Sequence, residues 1–304
     1  MYQSLIKPKR LPKNGTIGVI APAGKVNSDD LHRGIVYIEK MGYRVILGRH
    51  LEKAHRYFAG HDRDRADDFL DIMQNKEVDA VICARGGSGS ARIIPYIPPF
   101  APAPKIFVGC SDITTLLLYL SRRDGFVTFH GPMVAPQIGD CPYNPKGIEA
   151  ADYLFQVLSG EKVDMYADGM TTIKPGVADG ILTGGCLSLI CTTIGTPYEL
   201  DTEDCILFIE DIAEAPYRID RMLSFLKMLN KFKEIRGLIF GQMPKCQMEQ
   251  LPEIILDIFS EFDFPILFGF PSGHGDSLFT LPIGTPVRLD AGASRLTMLS
   301  PAVL

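Results

Sequence analysis

The sequence predicts an α/β protein of two domains, and three observations lead to this prediction. Short apolar runs alternate with segments of helical spacing, which is the pattern of a parallel sheet covered by helices. The 304 residues suffice for two domains, and a composition of 46% hydrophobic and 22% charged residues is typical of soluble globular proteins. The alternation weakens after Cys141, so we expect domains at residues 1–140 and 177–304, joined by a linker at 141–176.

The first domain is predicted to repeat a strand and a helix. Its strands are the apolar runs TIGVIAP, YRVIL, DAVICA, KIFVGC and FVTFHG. Helices are predicted over residues 28–41, 63–75 and 112–121, with another that begins near Ser88. Apolar residues at helical spacing support these assignments, as do a serine at the start of the first helix and a glycine after its end.

The second domain is also predicted to be α/β. The linker holds one helix, at residues 148–158. After GGCLSLICTTIGTP the chain alternates the strand CILFIED, the helix PYRIDRMLSFLKML, the strand GLIFGQM, a helix that ends near Ser260 and the strand PILFGF. Two β-rich runs, TPVRLD and RLTML, close the chain.

Composition and charge argue against several classes of function. A net charge of −5 with both signs interspersed gives no basic stripe for nucleic acid. No segment reaches the roughly 18 apolar residues of a membrane span, and the start of the chain lacks the apolar core of a signal peptide. The seven cysteines form neither a Cys-x-x-Cys pair nor a zinc-spaced cluster, so we expect reduced thiols, no metal and a cytoplasmic location.

Two loops follow predicted parallel strands, ARGGSGS (84–90) and GCSD (109–112). Parallel strands end at one edge of a sheet, where ligands bind. The glycines match neither dinucleotide nor Walker motifs, so no nucleotide cofactor is predicted. They either form a tight turn or present backbone N–H groups to an oxyanion. Ser111 either caps the following helix or is a nucleophile on a sharp turn.

A serine nucleophile needs a base and an acid that orients the base. His130 ends a strand, where it either belongs to the core or lines a cleft, whereas His274 lies between two glycines in a loop and is preferred as the base. Glu210 and Asp211 end an apolar strand, where a carboxylate must be paired, hydrogen-bonded or functional. The α/β-hydrolases are disfavoured, because their Gly-x-Ser-x-Gly motif does not occur around Ser111.

Taken together, these motifs resemble the LD-carboxypeptidase family of serine peptidases, which includes the microcin-immunity peptidases. The resemblance runs through TIGVIAPAG, ARGGSGSARI, VGCSDITTL, FHGPM, GGCLSLICTTIGTP, LFIEDIAEAPYRIDRML and SGHGDSLFTLPIG. It implies a Rossmann-like amino-terminal domain that carries Ser111 as nucleophile. A smaller carboxy-terminal domain of the swivelling type would carry Glu210 as the orienting acid and His274 as the base. The amide of Asp112 and one from Gly86 or Gly87 would form the oxyanion hole.

The resemblance also implies a homodimer without cofactors that releases D-alanine from a cell-wall tetrapeptide during peptidoglycan recycling. An immunity-type peptidase acting on peptidyl or aminoacyl adenylates is the alternative. A non-catalytic two-domain ligand-binding protein is the alternative of another class. Cys110 and Cys186 depart from the family, which usually has an aromatic residue and an asparagine there, and this affects the expected pocket rather than the triad.

A carboxypeptidase must recognise a free carboxylate, and arginine binds both of its oxygens at once. Arg85, which leads the glycine loop, and Arg218, which follows Glu210, are the candidates. Each has a structural alternative: Arg85 braces its own loop, or Arg218, together with Arg221, pairs with carboxylates at the domain interface. We favour Arg85 because it lies on the domain that carries the serine.

Overall fold

The computed structural model describes residues 5–98, 103–161, 164–166 and 169–304. Two β-sheets with surrounding helices form the fold, so the predicted α/β class is confirmed. The first sheet contains six strands. They are β1 (Thr16–Ile20), β2 (Arg44–Leu47), β3 (Ala80–Cys83), β4 (Ile106–Gly109), β5 (Thr128–His130) and, from much later in the chain, β12 (Leu281–Ile283).

The strand order of the first sheet is β12-β5-β4-β3-β1-β2. Strands β1 to β5 are parallel, whereas β12 pairs antiparallel with β5 and places Leu281 opposite His130. Parallel strands all end at the same edge, so the loops after β3 and β4 lie together. The last quarter of the chain therefore completes a sheet built by the first half.

Eight helices accompany the sheets in the described part of the chain, and five belong to its first half. These are α1 (Ser28–Lys40), α2 (Asp62–Gln74), α3 (Ser90–Ile93), α4 (Thr114–Arg123) and α5 (Pro145–Ser159). Helix α1 begins one residue after Asn27, whose side chain accepts hydrogen bonds from the amides of Asp29 and Asp30. Helix α4 packs against β4 and β5 of the first sheet and β8 (Val177–Cys186) of the second, which explains why most of it is buried.

The second sheet contains eight strands, of which β8 is central. The others are β6 (Asp164–Tyr166), β7 (Thr171–Lys174), β9 (Cys205–Glu210), β10 (Gly237–Gln242), β11 (Ile266–Gly273), β13 (Pro286–Asp290) and β14 (Arg295–Met298). Their order is β6-β14-β13-β8-β9-β10-β11-β7. Strands β8 to β11 are parallel. The helices of this half are α6 (Leu187–Thr193), α7 (Pro216–Met228) and α8 (Leu251–Phe259).

The segment predicted as a linker, 141–176, contains α5 and the edge strands β6 and β7 of the second sheet. Residues 162–163 and 167–168 of this segment lie outside the described residues. The domain boundaries stay a prediction.

One hydrophobic core is shared by the two sheets. It combines Val108 and Phe129 of the first sheet with Phe208 and Ile239 of the second, together with Leu281 of β12. A second cluster lies on the other face of the second sheet, under α7 and α8. The shared core brings the carboxyl end of β4 towards the strands of the second sheet. In the part of the chain that the structure describes, no helix is long and apolar enough to cross a membrane.

Candidate active site

Ser111 follows β4 on a strained turn. Its φ is +60°, a left-handed value that costs a residue other than glycine about 1–3 kcal/mol. Gly109 allows the chain to fold back here, because a Cβ at this position would lie 2.5 Å from Cγ2 of Ile113. The hydroxyl of Ser111 makes no hydrogen bond to another described residue, and α4 has no side-chain cap. The structure thus does not support the interpretation of Ser111 as a helix cap.

The glycine loop after β3 packs directly on this serine. A Cβ on Gly86 would lie 2.8 Å from the Cβ and 3.1 Å from the Oγ of Ser111, so only glycine permits this approach. The carbonyl of Gly86 accepts the amide of Gly24 at 2.9 Å. Among the described residues, the amides of Gly86 and Gly87 have no hydrogen-bond acceptor. They are therefore available to a bound group beside the serine.

Asp112 fixes the geometry between the two loops. Its buried carboxylate accepts the amide of Ser90 at 2.8 Å, and the hydroxyl of Ser90 donates to the Asp112 carbonyl at 2.5 Å. The start of α3 and the turn of Ser111 are thereby joined twice. The sequence contains the signal for this contact, a carboxylate next to Ser111 and a serine at the end of the glycine loop, but no local pattern pairs them.

Glu210 and His274 form a close pair on the second sheet. Glu210 ends β9 and is fully buried, whereas His274 directly follows β11, which extends three residues beyond the predicted PILFGF. Nδ1 of His274 lies 2.5 Å from Oε2 of Glu210. Gly273 is required between them, because its φ is +116° and a Cβ there would lie 2.9 Å from the Cβ of Glu210.

Burial and pairing shift the pKa of both side chains. Burial raises the pKa of the Glu210 carboxyl, and the hydrogen bond and charge of His274 oppose this effect only in part. Burial alone would lower the pKa of His274, but the hydrogen bond and charge of Glu210, with the charge of Asp211, outweigh it and raise that pKa. The imidazole of His274 therefore holds a proton more strongly than a free histidine does, which suits a group that accepts a proton.

Asp211 points away from this pair and has a structural role. Its Oδ2 accepts the amide of Ser188 at 2.8 Å, which satisfies one of the free N–H groups at the start of α6. Alternation along the strand predicts these opposite directions for Glu210 and Asp211.

Thr114 connects the serine turn to the acid. Oγ1 of Thr114 accepts the amide of Cys186 at 3.2 Å, and Cys186 lies in register with Glu210 on the neighbouring strand. Gly185, with a φ of +142°, leaves room for Thr114, since a Cβ there would lie 2.7 Å from its Cγ2. The sequence motifs did not predict this contact, and its one signal in the sequence is the pair of glycines before Cys186.

Burial and, after it, the charge of Glu210 raise the pKa of the Cys110 thiol. The contact between Thr114 and Cys186 places the helix that follows Ser111 against the strand next to the one that ends at Glu210.

The two candidate arginines differ in their surroundings. Arg85 is partly buried and donates from Nη1 to the carbonyl of Lys25 at 2.9 Å, which braces the loop of Gly24 against the glycine loop. Arg218 is largely exposed, and its Nη1 lies 3.4 Å from Glu214, one helical turn away. Each arginine therefore has a local partner, and of the two only Arg85 adjoins the loop that contacts Ser111.

The fold is α/β, with a serine on a strained turn after β4 of the first sheet and a buried glutamate paired with a histidine at the ends of β9 and β11 of the second. The comparisons with known proteins agree. Residues 17–131 match the LD-carboxypeptidase N-terminal domain, and residues 179–289 match the LD-carboxypeptidase C-terminal domain. The chain belongs to the LD-carboxypeptidase family, as its motifs indicated.

Its relatives include proteins of both kinds named above. The probable murein peptide carboxypeptidase of Bacillus subtilis is 38% identical, over 93% of this chain and 91% of that protein. The solved structure of muramoyltetrapeptide carboxypeptidase from Oxalobacter formigenes has a TM-score of 0.81 at 28% identity, over 93% of this chain and 97% of that one. The microcin C7 self-immunity protein MccF of Escherichia coli is 25% identical, over 89% of this chain and 88% of that protein.

Proposed function

We propose that this protein is a serine carboxypeptidase that hydrolyses an L,D-amide bond and releases a terminal D-amino acid, D-alanine, from a murein-derived tetrapeptide. The observation that carries the proposal is the 2.5 Å contact between His274 and the buried Glu210, and a serine held at a φ of +60° supports it. Relatives named as murein peptide carboxypeptidases support the substrate class.

Each side chain has one role in the proposed mechanism. The hydroxyl of Ser111 attacks the scissile carbonyl while Nε2 of His274 takes its proton. Glu210, bonded to Nδ1, holds the imidazole and stabilises the imidazolium. The amide of Asp112 and one from Gly86 or Gly87 stabilise the oxyanion.

The acyl-enzyme then forms and is hydrolysed. His274 returns its proton to the departing amine, which leaves Ser111 acylated. A water then gives its proton to His274 and attacks the ester, and the proton returns to the serine. Carboxylic acid and D-amino acid are the products, and no metal takes part.

The free carboxylate of the substrate needs an anchor, for which we propose Arg85 and, failing that, Arg218. The guanidinium of Arg85 already lies against the glycine loop that contacts the serine. Arg85→Gln should narrow the preference for a peptide with a free D-alanine carboxylate over its C-terminal amide. An unchanged preference would exclude Arg85, and Arg218→Gln would then be tested.

The direct test of the function is product release. The protein is incubated with a murein tetrapeptide ending in D-alanine, and free D-alanine is measured by mass spectrometry. Ser111→Ala and His274→Ala should lower turnover by orders of magnitude, with Ser88→Ala, an exposed serine of the glycine loop, as the matched control. A fluorophosphonate adduct on Ser111 would exclude a non-catalytic ligand-binding protein. Near-normal turnover of Ser111→Ala would refute the mechanism.

The similarity to MccF supports a second candidate function, in which the same residues cleave a peptidyl or aminoacyl adenylate. Release of nucleotide rather than D-alanine, followed in parallel incubations, would favour it. We also propose a cytoplasmic homodimer. Light scattering after size exclusion tests the dimer, and cell fractionation tests the location.

A further inference from the structure

His130 is a buried histidine whose ring lacks hydrogen bonds. It ends β5 with no exposed surface, and neither Nδ1 nor Nε2 has a hydrogen-bond partner among the described residues. A neutral imidazole always has one N–H donor and one acceptor nitrogen. Burying both without partners is costly, and most buried polar atoms in proteins are hydrogen-bonded. His130 is therefore neither the satisfied core residue nor the cleft-lining residue that its sequence position suggested.

The ring of His130 points towards the second sheet, on the side of the proposed acid. It packs edge-on against Phe208, with ring centroids 5.2 Å apart. Phe208 lies two residues before Glu210 on β9, so their side chains share a face and are separated by about 7 Å along the strand. A charge on His274 also acts on His130. The ring thus packs on the face of β9 that also carries Glu210.

Glu210 carries a matching unpaired atom. Oε2 is bonded to His274, but Oε1 is buried and has no hydrogen-bond partner among the residues described. A buried carboxylate normally accepts several hydrogen bonds, and losing one costs more than for a neutral group. A ring N–H of His130 and the Oε1 atom of Glu210, both without a hydrogen-bond partner among the described residues, hence lie in the same buried region.

We propose that His130 is a positioning residue for the catalytic acid, whose ring N–H donates through one buried water to Oε1 of Glu210. This bridge would hold the carboxylate ionised and oriented, so that Oε2 remains on Nδ1 of His274. The inference rests on the proposed function only for the meaning of the activity measurements. The proposed bridge explains why β5 ends in the histidine of FHGPM, at a buried position where an apolar side chain would otherwise be expected.

Among the described residues, few titratable groups surround Glu210 and His274, so a change in the protonation of this pair can be assigned to it. Asp211 adjoins Glu210 on β9, Cys186 faces it from β8 and Cys110 faces it from the turn after β4. His274 directly follows β11, and His130 ends β5. Burial raises the pKa of both thiols well above the ordinary value, so they stay neutral in the working range.

The test compares His130→Phe, which keeps a ring and loses the donor, with His130→Asn and His130→Gln, which keep a donor. Without the donor, the Glu210 carboxylate is less stabilised, and the pair takes up a proton at higher pH. The acid limb of kcat/KM should therefore move upward by about one pH unit in His130→Phe. Asn or Gln, whose amide nitrogens approximate Nδ1 and Nε2, should restore the limb in at least one variant.

Thr128→Val is the matched control. Thr128 is buried two residues earlier on the same strand, and in the described structure its hydroxyl bonds only the Leu117 carbonyl, at 3.4 Å. The substitution Thr128→Val perturbs β5 without changing a group that contacts Glu210 or His274, so the acid limb of kcat/KM should not move in this variant. If His130→Phe lowers kcat but leaves the acid limb where the wild type has it, His130 is merely structural and the proposal is wrong.

A measurement without substrate separates this inference from the proposed function. The ring nitrogens of His274 in ¹⁵N-histidine-labelled protein are titrated by NMR in the wild type and in His130→Phe. The midpoint should rise in the variant even if no murein peptide is cleaved. An unchanged midpoint overturns the bridge, whereas absence of D-alanine release from the wild type would overturn only the function.

Discussion

The substitution Gly86→Ala tests how closely the glycine loop approaches Ser111, the proposed nucleophile. Residue 86 has no left-handed φ, so alanine is tolerated by the backbone and keeps the amide. Its new methyl would lie 2.8 Å from the Cβ of Ser111, whereas carbon atoms in contact are about 3.5–4.0 Å apart. The serine or the loop must therefore retreat by roughly 0.7–1.2 Å. A displacement of about 1 Å costs on the order of 100-fold in rate.

The assay for Gly86→Ala is the rate of fluorophosphonate labelling of Ser111, supported by kcat for D-alanine release. Both should fall by about 100-fold, while the free energy of unfolding in urea changes by only about 1–3 kcal/mol, as overpacking does. Ser88→Ala controls for changes elsewhere in the loop. If Gly86→Ala labels as fast as the wild type, then the close approach does not position the serine.

Glu210→Gln should lower kcat by about 10³–10⁴-fold. It should also move the acid limb of the pH profile of kcat/KM to lower pH, because burial lowers the pKa of His274 once the opposing carboxylate is gone. An acid limb that stays in place would contradict the pairing of Glu210 with His274. Burial and the charge of His274 lower the pKa of His130 from 6.5 to about 3, so the unfolded state binds more protons below pH 6.5. Stability should fall there by about 2 kcal/mol at pH 5, and urea unfolding of His130→Phe should lack this loss. Thr114→Val should cost about 1–3 kcal/mol of unfolding free energy by leaving the Cys186 amide unpaired, whereas a cost near zero would mean that the amide finds another acceptor.

The alternation of strands and helices was sufficient to predict most elements, because buried parallel strands are short apolar runs and the helices have amphipathic spacing. It also predicted which edge of the first sheet carries Ser111 and the glycine loop. The proximity of Glu210 to His274 followed from the family resemblance, whereas the strand order that produces it is a tertiary feature.

Other features could not be predicted from the sequence. Strand β12 is only three residues long, and nothing local indicates that it returns to the first sheet. The hydrogen bond of Thr114 with Cys186 joins residues 72 positions apart, and hydroxyl acceptors in a helix have no distinctive pattern. The unsatisfied nitrogens of His130 depend on what the second sheet presents to that ring. Each of these depends on how the two sheets are assembled rather than on the preferences of a single segment.

The return of β12 to the first sheet restricts how the two halves of the protein can move. His274 lies on the short stretch between β11 of the second sheet and β12, which is hydrogen-bonded to β5 beside the strand that leads to Ser111. The histidine is thus tethered on both sides, once to each sheet. A swivel that carried the second sheet away from Ser111 would have to peel β12 from β5, exposing the edge of a strand that ends at His130. The pairing of β12 with β5 therefore couples the position of His274 to the first sheet as well as to the second.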